Sequence, residues 1–114
     1  MPAGLPGIDL QASTLKNRPA LFMKGLKIFQ ENQHSFNDNF KNALRNNDME
    51  AATRQAHTLK GQAATFGALN LQQSALALEM ACQEKQTDVI EKQLKAVLDD
   101  LQIVLDGIDS VLSN

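Results

Sequence analysis

The feature that most constrains the fold of this chain is a three-to-four-residue spacing of apolar side chains, which recurs in several long segments. In the last segment the spacing runs to the C-terminus through Ile90, Leu94, Val97, Leu101, Val104, Ile108 and Val111. Such a stripe is one face of an amphipathic α-helix. The 114 residues include 16 Leu, 14 Ala and 11 Gln, but only 9 Val and Ile together. Because helix formers outnumber strand formers, we predict an all-α chain.

Turn and capping signals divide the chain into helices. The predicted helices cover residues 19–46, 49–66, 70–85 and about 88 to the C-terminus, with a short one at about 8–16. The 19–46 segment is one long helix or two, because polar residues at 32–35 interrupt its stripe. Gly67 suits the left-handed position that ends a helix. Short turns between long amphipathic helices predict an antiparallel four-helix bundle with a short extra N-terminal helix.

The domain organisation follows from length and from the Pro and Gly residues at the start. Residues 1–7 contain two prolines and two glycines and are predicted to be a linker or disordered end. Residues 8–114 have the size of one compact domain. The 70–85 helix has a second apolar stripe, Leu69, Leu76 and Met80, which is either covered or available to a partner.

Charge and cysteine content exclude several classes of function. Eleven basic and thirteen acidic residues give a net charge of −2 with no basic block, so binding to nucleic acid or to an anionic membrane surface is not expected. No apolar run approaches the roughly 20 residues that span a bilayer, and the first residues lack signal-peptide features. Cys82 is the single cysteine, and His34 and His57 have no evident ligand cluster, so we predict no metal site and a cytoplasmic protein.

His57 is the residue that departs from the apolar pattern of the 49–66 helix. It lies well away from the predicted core face, and a solvated histidine without a task is the plain interpretation. Its neighbours favour another one. Lys60 follows one turn later, Gly61 occupies a helix interior at a cost of about 1 kcal/mol relative to Ala, and Ala64 continues the strip. Small side chains beside an exposed imidazole would let another protein reach a ring nitrogen closely.

The residues around this position read Ala56-His57-Thr58-Leu59-Lys60-Gly61, followed by Gly67, Leu71 and Leu78-Glu79. This pattern resembles the motif of histidine-containing phosphotransfer (HPt) domains, a family of four-helix bundles of about this length. The stretch 5–9 also resembles the entry to HPt modules at the C-terminal ends of hybrid sensor kinases. The resemblance implies a module excised from a membrane-bound kinase, with a free-standing protein as the alternative.

The resemblance implies a phosphocarrier that is not itself an ATP-dependent kinase. His57 would accept a phosphoryl group from the aspartate of one response-regulator receiver domain and pass it to another receiver. Lys60 would hold the phosphoryl oxygens, and Gly61 with Ala64 would admit the receiver. The receiver would supply Mg²⁺, so no cofactor is expected on this chain, which would act as a monomer without membrane contact. We assign no chemistry to Glu79.

Two other interpretations compete with the phosphocarrier. The dimerisation segment of a histidine kinase has an acid after its histidine and a proline downstream, whereas Thr58 follows His57 here and no proline follows residue 19. A helical interaction bundle that docks a partner without phosphotransfer would explain the second stripe around Leu76. It would not explain why His57, Lys60 and Gly61 occur together.

Overall fold

The structure is a computed structural model in which residues 5–112 are described. A 3₁₀ helix, Leu10–Ala12, precedes five α-helices. These are α1 (Pro19–Gln33), α2 (Phe36–Arg45), α3 (Met49–Phe66), α4 (Leu69–Gln83) and α5 (Thr87–Leu112). No strand occurs between residues 5 and 112, which confirms the predicted all-α class.

The predicted 19–46 segment is two helices that together form one leg of the bundle. His34 keeps helical backbone angles, and Ser35, at φ −97° and ψ 0°, lies just outside them. The helix is therefore interrupted between α1 and α2. At 1.5 Å per residue, α5 is about 39 Å long, which matches the 42 Å long dimension of the molecule. The α1–α2 leg, α3, α4 and α5 make up the predicted four-helix bundle.

Both ends of α3 are defined by the residues that the sequence indicated. The Asp48 carboxylate accepts a hydrogen bond from the backbone N–H of Ala51 at 3.0 Å and so caps the first turn. Gly67 ends the helix with φ +76°, a conformation that costs a residue with a Cβ about 1–2 kcal/mol. A Cβ at Gly67 would also collide with the backbone oxygen of Asp9. The position and length of α3 are therefore fixed locally.

The N-terminal segment differs from the prediction. The proposed 8–16 helix is reduced to Leu10–Ala12, and the stretch assigned to a linker is packed from Leu5 onwards, while residues 1–4 lie outside the described part. Leu5 and Ile8 are buried in the core. The backbone N–H of Asp9 donates to the carbonyl of Gly67 at 2.8 Å. Two apolar side chains and this hydrogen bond hold the segment against the bundle.

Aromatic packing holds α1 against the end of α3. The rings of Phe22 and Phe29 meet Phe66 edge to face, with centroids 5.7 and 5.6 Å apart. Gly25 permits this approach, because a Cβ there would lie 3.0 Å from the Phe66 ring. Within residues 5–112, no helix combines the length and the apolar character needed to cross a membrane.

Candidate functional site

Helix α3 has a buried face and an exposed face, and the candidate site lies on the exposed one. The buried face consists of Ala52, Ala56, Leu59, Ala63 and Phe66. The His57 side chain projects away from these residues and is 63% exposed. The helix therefore presents the imidazole to solvent on a rigid, packed support, in agreement with the helical spacing.

A carboxylate from α4 meets the imidazole. Glu79 Oε2 lies 2.8 Å from His57 Nδ1, and Glu79 Oε1 lies 2.8 Å from Lys60 Nζ. The Glu79 side chain is only 10% exposed, whereas that of Lys60 is 26% exposed. Packing of α4 on α3 thus connects His57 and Lys60, which are neighbours on α3, through the buried carboxylate of the distant Glu79.

Glu79 is an anion in this setting. Burial alone would raise the pKa of the Glu79 carboxyl, but the hydrogen bonds from Lys60 and His57, together with their charges, outweigh burial. The net result is a pKa below the ordinary value of 4.5. An ionised carboxylate only accepts hydrogen bonds, so His57 Nδ1 is the donor in its bond to Glu79.

The protonation of Nδ1 determines what the other ring nitrogen can do. In a neutral imidazole one nitrogen carries the proton and the other carries a lone pair. Because Nδ1–H is bonded to Glu79, the lone pair of His57 lies on Nε2. Across residues 5–112 no hydrogen bond to this Nε2 is found. The site therefore offers a nucleophilic nitrogen to solvent in a fixed ring orientation.

The remaining candidate residues surround the imidazole. Gly61 is exposed, and a Cβ built on it meets no atom within 4 Å, so it is not needed for packing. Ala64 lies one turn further along and is half-buried. The sequence placed Lys60 beside the imidazole without a partner of its own, whereas in the structure its ammonium is hydrogen-bonded to Glu79.

A surface groove of about 900 Å³ begins at His57 and Glu79 and runs between α3 and α4. Arg54 and Lys85 also line it. Cys82 lies at the groove wall, but burial raises the pKa of its thiol to about 11, so it is a neutral group without the reactivity of a thiolate. Chemical reactivity in this region is therefore concentrated at the imidazole.

No group of three or more His, Cys, Asp or Glu side chains suited to a metal ion occurs in the described part of the chain. The second histidine, His34, caps the C-terminal end of α1 and does not line the groove at His57.

Sequence reasoning missed the chemistry of Glu79. Its position contained a usable signal, because it follows Leu78 and lies among the buried positions Ala75 and Cys82. A carboxylate so close to a core face needs partners, since burial of an unpaired charge is costly. Which partners it has depends on the register of α4 against α3, which one sequence does not specify.

Comparison with known proteins adds one finding. The family model described as Hpt domain matches residues 24–107, a range that contains all of α2, α3 and α4 and most of α1 and α5. Curated proteins and solved structures give no significant match.

Proposed function

The chain belongs to the Hpt domain family, whose members are phosphocarriers in two-component signalling rather than kinases, and we propose that His57 is its phosphoacceptor. The proposal rests on one observation, that one nitrogen of the ring is hydrogen-bonded while the side chain as a whole remains exposed. Nδ1 is anchored to Glu79 at 2.8 Å, while the side chain remains 63% exposed. The partners of the family are response-regulator receiver domains, and His57 would exchange the phosphoryl group with their aspartates.

The proposed reaction uses the lone pair on His57 Nε2. It attacks the phosphorus of a receiver's aspartyl phosphate, the N–P bond forms, and the P–O bond to the aspartate breaks, which leaves a carboxylate on the receiver. The proton stays on Nδ1, so the phosphorylated ring carries a positive charge. The Glu79 carboxylate lies against that charge and offsets it. Transfer to a second receiver reverses these steps.

Lys60 has donors to spare for the phosphoryl group. An ammonium has three N–H donors, of which one is directed to Glu79. We propose that the others bind phosphoryl oxygens on His57 after transfer. The group is partly exposed, so a modest contribution is expected.

Gly61 and Ala64 are proposed to admit the receiver. The open space at Gly61 allows a receiver loop to approach the imidazole one turn away. In this proposal the receiver brings the Mg²⁺ that transfer requires, and this chain binds no cofactor and acts as a monomer in the cytoplasm. We propose that the receiver that donates the phosphoryl group belongs to a hybrid kinase.

A two-receiver experiment tests the carrier role. One receiver is radiolabelled on its aspartate, purified and mixed with this chain and a second receiver, with a reaction lacking this chain as the control. A carrier moves label from the first receiver to the second through an acid-labile intermediate on this chain. A docking bundle, the alternative favoured by the exposed stripe Leu69, Leu76 and Met80, binds a receiver but takes up no label.

A further inference from the structure

A second groove lies on the side of the bundle away from His57. It has a volume of about 470 Å³ and runs between residues 41–45 of α2 and residues 91–98 of α5; we call it the α2–α5 groove. Helix α4 packs on both α3 and α5, while α2 packs on α3, so the face between α2 and α5 is opposite the face between α3 and α4. Among residues 5–112, none lines both this groove and the one at His57. The two surfaces are therefore separate.

The floor of the α2–α5 groove is apolar. Leu94 is 7% exposed, and Leu44 and Leu98 are partly buried against the same core. Leu94 and Leu98 are one turn apart on the same face of α5. The stretch of α5 that lines the groove, residues 91–98, is about 10 Å long, or two helical turns. The groove has room for a few apolar side chains but not for a whole helix, which is about 10 Å across.

The rim of the groove carries more positive than negative charge. Lys41 and Arg45 line it from α2, and Lys95 lines it from α5. Glu91 is the single acid among the lining residues. Within the described part of the chain, no ion pair involves any of the three cations, although Arg45 donates to the side-chain oxygen of Asn42 at 2.9 Å. The whole chain has a net charge of −2, so the positive rim is a local feature.

We propose that the α2–α5 groove docks an acidic amphipathic helix of a partner protein. Apolar side chains of this helix, spaced three and four residues apart, enter the groove over Leu94 and Leu98. Its acidic side chains face Lys41 and Lys95 on the rim. This role goes beyond the phosphocarrier function and does not depend on it.

The backbone of the partner also favours a helix. No strand occurs between residues 5 and 112, so the groove has no sheet edge that could pair with an extended peptide. A helix satisfies its own backbone N–H and C=O groups and presents only side chains to the groove.

Depth and charge together distinguish a helix from a membrane or a nucleic acid. The leucines form the floor of the groove, where Leu94 is almost fully buried, so they are not placed to insert into a bilayer. A nucleic acid would contact the cations through its phosphates but would leave the leucines uncovered. An acidic amphipathic helix uses both the floor and the rim.

Amide nuclear magnetic resonance with a synthetic peptide tests the proposal. The probe is a peptide of about 18 residues, long enough to be helical in water, with leucines three and four residues apart and glutamates and alanines between them. One control peptide has lysine in place of each glutamate, and another has alanine in place of each leucine. Lys41→Glu with Lys95→Glu reverses the rim charge. Lys24→Glu with Lys27→Glu is the matched control, because these exposed lysines lie on α1 outside the groove.

We expect the acidic peptide to shift the amide signals of residues 41–45 and 91–98 and to leave those of residues 54–61 and 76–80 unchanged. Reversal of the rim charge should weaken binding by at least about tenfold, because like charges then face each other. The α1 control should bind as the parent does. The lysine peptide should bind at least about tenfold more weakly for the same electrostatic reason, and the peptide without leucines should also bind more weakly because it buries less apolar surface.

Several results would overturn the proposal. One is the absence of shifts in residues 41–45 and 91–98 at millimolar peptide, and another is parent affinity in the rim variant, with helical circular dichroism to show that it is folded. Equal binding of the peptide without leucines would reduce the contact to charge alone. Anionic phospholipid vesicles that shift the same amides as strongly would assign the groove to a membrane. Sedimentation of the protein alone that shows self-association, lost in the rim variant, would assign it to a second copy of this chain.

Discussion

Replacement of Gly61 separates receiver docking from the stability of the helix. Glycine is about 0.8–1.0 kcal/mol less favourable than alanine inside a helix, and a Cβ at Gly61 meets nothing within 4 Å. We therefore expect Gly61→Ala to raise the free energy of unfolding by about 1 kcal/mol, and Gly61→Gln by somewhat less.

The expected change is measurable by thermal unfolding. With an unfolding entropy of about 2.1 cal/mol/K per residue, a chain of 114 residues gains about 4 °C in Tm for 1 kcal/mol. The control is Gly25→Ala, which has the same propensity gain but places a Cβ 3.0 Å from the Phe66 ring. That variant should gain less than Gly61→Ala, or lose stability.

The same substitutions should stabilise the fold but reduce phosphotransfer from a receiver. A side chain at position 61 projects into the space from which a receiver must reach His57. We expect receiver-dependent phosphorylation to fall for Gly61→Ala and to fall further for Gly61→Gln, while phosphoramidate, a small donor, labels His57 at the parent rate. Parent rates of receiver transfer in Gly61→Gln would refute the idea that this glycine makes room for a partner. Unfolding of Gly61→Ala would refute the placement of this face in solvent.

Three further substitutions test contacts described above. The pKa of Glu79 in the folded protein lies below its ordinary value of 4.5, so its charge stabilises the fold above about that pH, and this stabilisation is lost as the pH falls through the lower folded value. Glu79→Gln should therefore weaken the decrease of the free energy of unfolding at acid pH, as measured by urea titrations at a series of pH values. An unchanged dependence on pH would contradict the pairing. Gly67→Ala should lower the free energy of unfolding by at least about 1–2 kcal/mol, because of its φ of +76° and the collision with Asp9; full stability in chemical denaturation would contradict this. Lys60→Ala should shorten the lifetime of the phosphorylated His57 by up to about fivefold, the equivalent of about 1 kcal/mol for a partly exposed charge, and an unchanged lifetime would remove the proposed phosphoryl contact.

The sequence predicted the helices of the bundle well because their signals are local. The stripe from Ile90 to Ile108 and the caps at Asp48 and Gly67 each act within one or two turns of chain, and α3 has the predicted bounds, Met49–Phe66. The N-terminal segment was predicted poorly for the opposite reason. Leu5 is held by packing and Asp9 by a hydrogen bond to the distant Gly67. No local sequence pattern predicts such contacts.

The candidate site shows the same division. The exposure of His57 and the open surface at Gly61 follow from positions on a single helix, and the structure agrees with both. The bonds from His57 and Lys60 to Glu79 span 22 and 19 residues and two helices. They depend on how far α4 is displaced along α3, which is set by packing of the whole core. Sequence spacing could place Lys60 near His57 but could not show that a buried carboxylate lies between them.

If His57 carries the phosphoryl group, the second exposed histidine, His34, serves as an internal control. The direct measurement is acid-labile label on the intact chain after incubation with a phosphorylated receiver, for the parent, His57→Gln and His34→Gln. Helical circular dichroism of each variant establishes that it is folded. We expect the label to be lost in His57→Gln and retained in His34→Gln. Label retained by folded His57→Gln would contradict it.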